Sequence, residues 1–73
     1  MDPVAQLLDL TKRWNEYEDI PRSQQLECRH IGEALNSAGG MKAMQDAYYA
    51  AKGQNRAAST IQAYWDGIGE WRW

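Results

Sequence analysis

Aromatic residues are concentrated at the C-terminal end of this chain, and they limit the folds open to it. Residues 57–73 contain three of the four tryptophans, Trp65, Trp71 and Trp73, and the chain has no phenylalanine. One buried Trp or Tyr removes roughly 150–250 Å² from water, so a short chain must draw much of its buried area from such residues. The sequence therefore predicts that the C-terminal tail packs on the core.

Apart from these aromatic residues, the sequence shows few features that would stabilise a fold. Its 73 residues suit one domain covering residues 1–73, and a domain of this size buries only about 60% of its unfolded surface. Cys28 is the only cysteine and His30 the only histidine, so the sequence predicts neither an internal disulfide nor a metal site, and no cofactor. We therefore expect stability to come from close helix packing or from self-association.

The spacing of apolar residues predicts an all-α protein, a compact bundle of three to four short antiparallel helices with the Trp-rich tail packed on it. Asp2 and Pro3 are typical of a helix start, and the residue before Pro21 is disfavoured in a helix, which places the first helix end near Glu18. Short connections between the predicted helices favour antiparallel packing of helices that follow one another in the chain. The predicted helices cover about residues 3–18, 22–38, 41–52 and 55–67.

Glycine and asparagine mark the predicted boundaries further along the chain. Gly39 and Gly40 are expected to end the second helix and to turn the chain into the third. Asn55 is a predicted N-cap of the fourth helix, and Gly67 and Gly69 are expected to end it.

A possible interaction surface is predicted in the tail and on the third helix. Trp71 and Trp73 flank Arg72, and two arrangements remain open: the indoles clamp the bundle with Arg72 stacked on one of them, or they form an exposed patch for a partner. The surface is predicted to comprise Tyr49, Glu70, Trp71, Arg72 and Trp73. On this basis we expect a protein–protein interaction module, with another protein or a second copy as the partner.

The alternative function is a small DNA-associated regulator that uses the second and third helices as a helix-turn-helix-like pair. The exposed positions at the start of the third helix would then face DNA, and they offer only Lys42, Gln45 and Asp46. The net charge of −2 argues against a nucleic-acid partner, because nothing resembles a basic footprint.

The sequence offers no catalytic constellation, so we expect a protein that is not an enzyme and has no small-molecule substrate. Cys28 and His30 are two positions apart, which on a helix points their side chains in different directions. Cys28 is expected to be buried, and His30 to be an exposed or partly covered surface residue. The acidic cluster Glu16, Glu18 and Asp19 is expected to face solvent. No secretory signal or membrane span is visible, so a cytoplasmic location is expected.

Overall fold

A computed structural model of the protein describes residues 2–72, and every regular element among them is helical. The elements are α1 (Pro3–Thr11), α2 (Arg22–Gln54), a 3-10 helix (Arg56–Thr60) and α3 (Ile61–Tyr64). A straight helix with the 33 residues of α2 would be about 50 Å long, whereas the longest dimension of the molecule is 30 Å. The chain bends at Gly40, where φ is 67° and ψ is −154°, and this divides α2 into two arms, residues 22–39 and 41–54. The predicted all-α fold is confirmed.

The first helix begins as predicted but ends earlier. The Asp2 carboxylate accepts a hydrogen bond from the Val4 N–H at 3.3 Å, and Pro3 occupies the first turn. The helix ends at Thr11 and not near residue 18, so that prediction was wrong. The Trp14 N–H donates to the Thr11 carbonyl at 3.0 Å in a turn, and the Tyr17 side chain beyond this turn is 87% exposed.

The early end of α1 is explained by a tertiary contact that the local pattern does not contain. The Asn55 amide nitrogen, Nδ2, donates to the carbonyls of Thr11 and Trp14, each at 2.8 Å. Its Oδ1 accepts from the Ala57 N–H at 3.0 Å, which confirms the predicted N-cap. Because the last carbonyls of a helix have no partner within the helix, Asn55 satisfies the end of α1 and the start of the 3-10 helix together.

The core draws on every element of the fold. Leu7 of α1, Met44 of α2, Ile61 of α3 and Trp65 are each 0% exposed. Within residues 2–72 no buried side-chain nitrogen or oxygen lacks a hydrogen-bond partner, which is what a well-packed small core requires. The other buried apolar residues are Trp14, Ile20, Cys28, Ile31, Leu35, Ala47, Tyr48, Ala51, Ala57, Ala58, Ile68 and Trp71.

The C-terminal segment is less regular than predicted, but it packs on the core as expected. Instead of one helix over residues 55–67, the 3-10 helix is followed by a single α-helical turn ending at Tyr64. Gly67 and Gly69 have φ values of 92° and 55°, and the Gly67 N–H donates to the Trp71 carbonyl at 3.0 Å. These turns bring Trp71 back onto the core, where it is 6% exposed. Trp73 lies outside the described residues.

A glycine on α2 receives the most buried tryptophan. The Trp65 indole Nε1 donates to the Cys28 carbonyl at 2.9 Å. A Cβ atom at Gly32 would lie 2.5 Å from that nitrogen, so the indole occupies the space that any other side chain would fill. Close packing of this kind fixes the distance between the first arm of α2 and the C-terminal segment.

Candidate functional site

An exposed part of the predicted interaction surface lies where the second arm of α2 meets the C-terminal tail. Tyr49 is 65% exposed on this arm, and Arg72 is exposed on the tail beside it. Between them is a cavity of about 210 Å³, called the Tyr49 groove below. The groove is lined by Met41, Gln45, Tyr48, Tyr49, Gln62, Trp71 and Arg72.

The floor of the Tyr49 groove is a set of packed aromatic rings. The Trp71 ring lies 5.7 Å from the Tyr48 ring and 5.2 Å from the Trp65 ring, both in edge-to-face geometry. The Trp71 Nε1 donates to the Gln62 carbonyl at 3.2 Å, and the Gln62 side-chain amide donates to the Tyr48 hydroxyl at 2.6 Å. The floor is therefore fixed by both ring packing and hydrogen bonds before any partner arrives.

The walls of the groove are the exposed Tyr49 and Arg72. The Tyr49 ring lies 5.2 Å from that of Tyr48 and is tilted by 58°, so one face of it contacts the floor while the rest meets solvent. Arg72 Nη1 donates to the carbonyls of Gly69 at 3.0 Å and of Trp71 at 2.8 Å. These bonds hold the guanidinium at the tail backbone. Among residues 2–72, the cation–π contact joins the Lys52 ammonium to the Tyr48 ring, and not Arg72 to the Trp71 indole.

The structure brings together three of the five residues predicted for the interaction surface. These residues are Tyr49, Trp71 and Arg72, which line the groove. Trp71 is buried, so it forms part of the groove floor and is not an exposed residue that could insert into a partner. Glu70 is exposed in the neighbouring turn and does not line the groove, and Trp73 lies outside the described residues.

Sequence reasoning missed part of the lining. Met41 and Gln45 precede Tyr49 at intervals of four residues, a spacing that places all three on one helix face and could have identified them. Gln62 comes from α3, beyond the 3-10 helix, and no local pattern indicates that it reaches Tyr48.

The positions considered for DNA contact carry little free positive charge. The Lys42 ammonium lies 3.1 Å from the Asp46 carboxylate, an i,i+4 pair in which both side chains are mostly exposed. Exposed pairs of this kind add little to stability, but they offset the charge that a phosphate would meet. No contact among the described residues favours DNA recognition by this arm.

The residues considered for catalysis are separated. Cys28 is fully buried, and its burial raises the pKa of the thiol to about 12, so very little thiolate forms near neutral pH. His30 is exposed on the same helix. Over the described part of the chain, no group of three or more His, Cys, Asp or Glu side chains is placed to hold a metal ion. In that same part, no helix is both long enough and apolar enough to cross a bilayer.

Comparisons of this chain were made with protein-family models, with curated proteins and with solved structures. No match is found in any of the three. Function is therefore inferred from the geometry of the described residues alone.

Proposed function

We propose that this chain is a protein–protein interaction module that binds its partner in the Tyr49 groove. The observation that carries the proposal is the exposed Tyr49 ring beside a cavity with a fixed aromatic floor. Tyr, Trp, Met and Arg are enriched in protein interfaces, and all four line this groove. A floor that is already ordered also reduces the entropy lost on binding.

The size of the groove favours a side chain of a protein over a free small molecule. Its volume of about 210 Å³ is below the roughly 300–1,000 Å³ typical of ligand pockets. One apolar or aromatic side chain of a partner would fill it, with Tyr49 and Arg72 contacting the partner around it. We propose a binding role and not a catalytic one, with another protein as the partner and a second copy as the alternative.

The cytoplasm is the proposed location. An unpaired cysteine buried in the core supports a reducing compartment, where such a thiol persists.

A selection of random peptides displayed on phage tests the proposal with a defined probe. Peptides selected on the wild-type protein are expected to bind Tyr49→Ala at least tenfold more weakly, because truncating an interface tyrosine removes roughly 1.4 kcal/mol or more. Tyr17→Ala is the matched control, since Tyr17 is 87% exposed and does not line the groove. Affinities would be measured by titration calorimetry.

Two outcomes separate the alternatives. Selected peptides that bind wild type and Tyr49→Ala equally would contradict the proposed surface. Sedimentation equilibrium of the wild type and of Tyr49→Ala over a wide concentration range tests the second copy as partner: a dimer that Tyr49→Ala weakens indicates self-association through the groove.

A further inference from the structure

The fold consists of two halves that are joined by a single residue. Gly40 separates residues 2–39, which hold α1 and the first arm of α2, from residues 41–72, which hold the second arm and the C-terminal segment. Both arms of α2 are helical up to this glycine. No connecting loop lies between them, so the relative placement of the two halves depends on the backbone conformation of one residue.

The hydrogen bonds between the halves are numerous and specific. Each pairs a side chain of one half with a backbone carbonyl of the other, and together they include the bonds that fix the ends of α1 and α3. The donors and acceptors are Asn55 to Thr11, Lys12 and Trp14, Trp65 to Cys28, Arg29 to Tyr64 and Asp66, and Gln54 to Leu8. Neither half contains both the donor and the acceptor of any of these bonds, and the bond from Trp65 to Cys28 is buried.

The conformation of Gly40 is one that only glycine adopts readily. Its φ of 67° with ψ of −154° lies in a region closed to residues with a Cβ atom. The neighbouring Gly39 is also required by the bend, because a Cβ there would lie 2.8 Å from the Cβ of Ala43. In a straight helix, residues four apart have Cβ atoms about 5–6 Å apart, so straightening would remove this conflict.

We propose that two copies of this chain exchange halves through Gly40 to form a dimer. A helical conformation at Gly40 would join the two arms into one helix of about 50 Å and separate the halves of each chain. The first half of one copy then packs on the second half of the other.

A second copy is the one partner that the separated surfaces already fit. Separation exposes the slot at Gly32 and the indole of Trp65, which are complementary in shape and in hydrogen bonding. The exchanged dimer restores the same contacts between chains and needs no new interface, and short bends between elements favour such exchange.

Alanine at the bend tests the proposal. In Gly40→Ala, and more strongly in the double variant Gly39→Ala with Gly40→Ala, the bent form is strained while the straight helix is favoured. The dissociation constant of the dimer is expected to fall at least about 100-fold, because the substitution acts in both copies. Light scattering after size-exclusion chromatography, with samples refolded over a range of concentrations, would measure this.

Gly53→Ala is the matched control. Gly53 lies in the second arm with negative φ, and a Cβ there would have nothing within 4 Å. Position 53 is helical in both forms, so this variant is expected to leave the monomer–dimer balance unchanged. A chain with D-alanine at position 40, made by chemical ligation, is expected to remain monomeric, since the mirror-image residue favours the observed φ and ψ.

Isotope-labelled and unlabelled chains refolded together distinguish exchange from other dimers. In an exchanged dimer the NMR contact between the Trp65 indole and Gly32 arises between chains, and the dimer persists with Tyr49→Ala. A dimer that keeps this contact within each chain would overturn the proposal. So would a Gly40→Ala chain that stays monomeric or fails to fold, because the exchanged form needs no positive φ at position 40.

Discussion

At the scale of single residues, the structure reverses what helix propensity suggests for Gly32. Glycine inside a helix costs about 1 kcal/mol relative to alanine, which would make this position a site for stabilising substitution. The Trp65 indole fills the space over Gly32, and its Nε1 reaches the Cys28 carbonyl only because no Cβ intervenes. Packing therefore decides the residue at this position, and propensity does not.

Gly32→Ala is expected to destabilise the protein in spite of its better helix propensity. A Cβ 2.5 Å from the Trp65 indole must displace the ring, and overpacking of this kind costs about 1–3 kcal/mol. Urea unfolding followed by tryptophan fluorescence would measure the free energy of unfolding. Gly53→Ala, with open space around its Cβ, should instead raise stability by roughly 0.4–1 kcal/mol. Equal effects of the two substitutions would show that the indole does not require this glycine.

At the scale of elements, the ends of the helices depend on residues distant in sequence. Asn55 satisfies carbonyls at the end of α1, 41 and 44 residues away, and Arg29 satisfies the Tyr64 carbonyl at the end of α3 at 2.7 Å. A helix whose last carbonyls find partners outside it can end where those partners lie. Capping across the fold therefore explains why α1 ends seven residues before the position predicted from the local pattern.

Asn55→Asp separates the two roles of the asparagine side chain. Aspartate keeps the acceptor for the Ala57 N–H, but it replaces the Nδ2 donor with an oxygen that faces the Thr11 and Trp14 carbonyls. The expected loss of stability at neutral pH is about 1–3 kcal/mol, because the half-buried Trp14 carbonyl loses the Asn55 donor and faces a carboxylate oxygen, while the Thr11 carbonyl keeps its bond from the Trp14 N–H. Thermal unfolding by circular dichroism would measure it. A stability equal to wild type would mean that the N-cap bond alone matters.

At the scale of the whole molecule, a chain of 73 residues concentrates its stability in a few large side chains. Trp65, Trp71 and Tyr48 form one group of rings from the centre of the core to the floor of the Tyr49 groove. The proposed binding surface is thus the outer face of the group that holds the tail in place. Truncation to alanine should therefore lower the free energy of unfolding much less at exposed Tyr49 than at buried Trp71.

Trp71→Ala is expected to lower the free energy of unfolding by roughly 3–5 kcal/mol, the range for truncating a buried aromatic residue. A small domain has a total stability near the low end of about 5–15 kcal/mol, so much of the fold would be lost. Chemical denaturation compared with Tyr49→Ala, expected within about 1 kcal/mol of wild type, would test this contrast. A Trp71→Ala protein as stable as wild type would show that the tail does not contribute to the core.

The sequence predicts the helical class, the start of α1 at Asp2 and Pro3, the bend at Gly40 and the N-cap at Asn55, because each depends on residues adjacent in the chain. It also indicated that the tail packs on the core, since a chain without phenylalanine has few other large apolar side chains. Among the residues that line the Tyr49 groove, the sequence predicted Tyr49, Trp71 and Arg72.

Contacts formed in the folded chain determine where α1 ends, why Gly32 is a glycine, and which arrangement Trp71 adopts. They also place Gln62 against Tyr48, and so close the floor of the groove. These features arise from hydrogen bonds and packing between residues far apart in sequence, whose partners no local periodicity specifies.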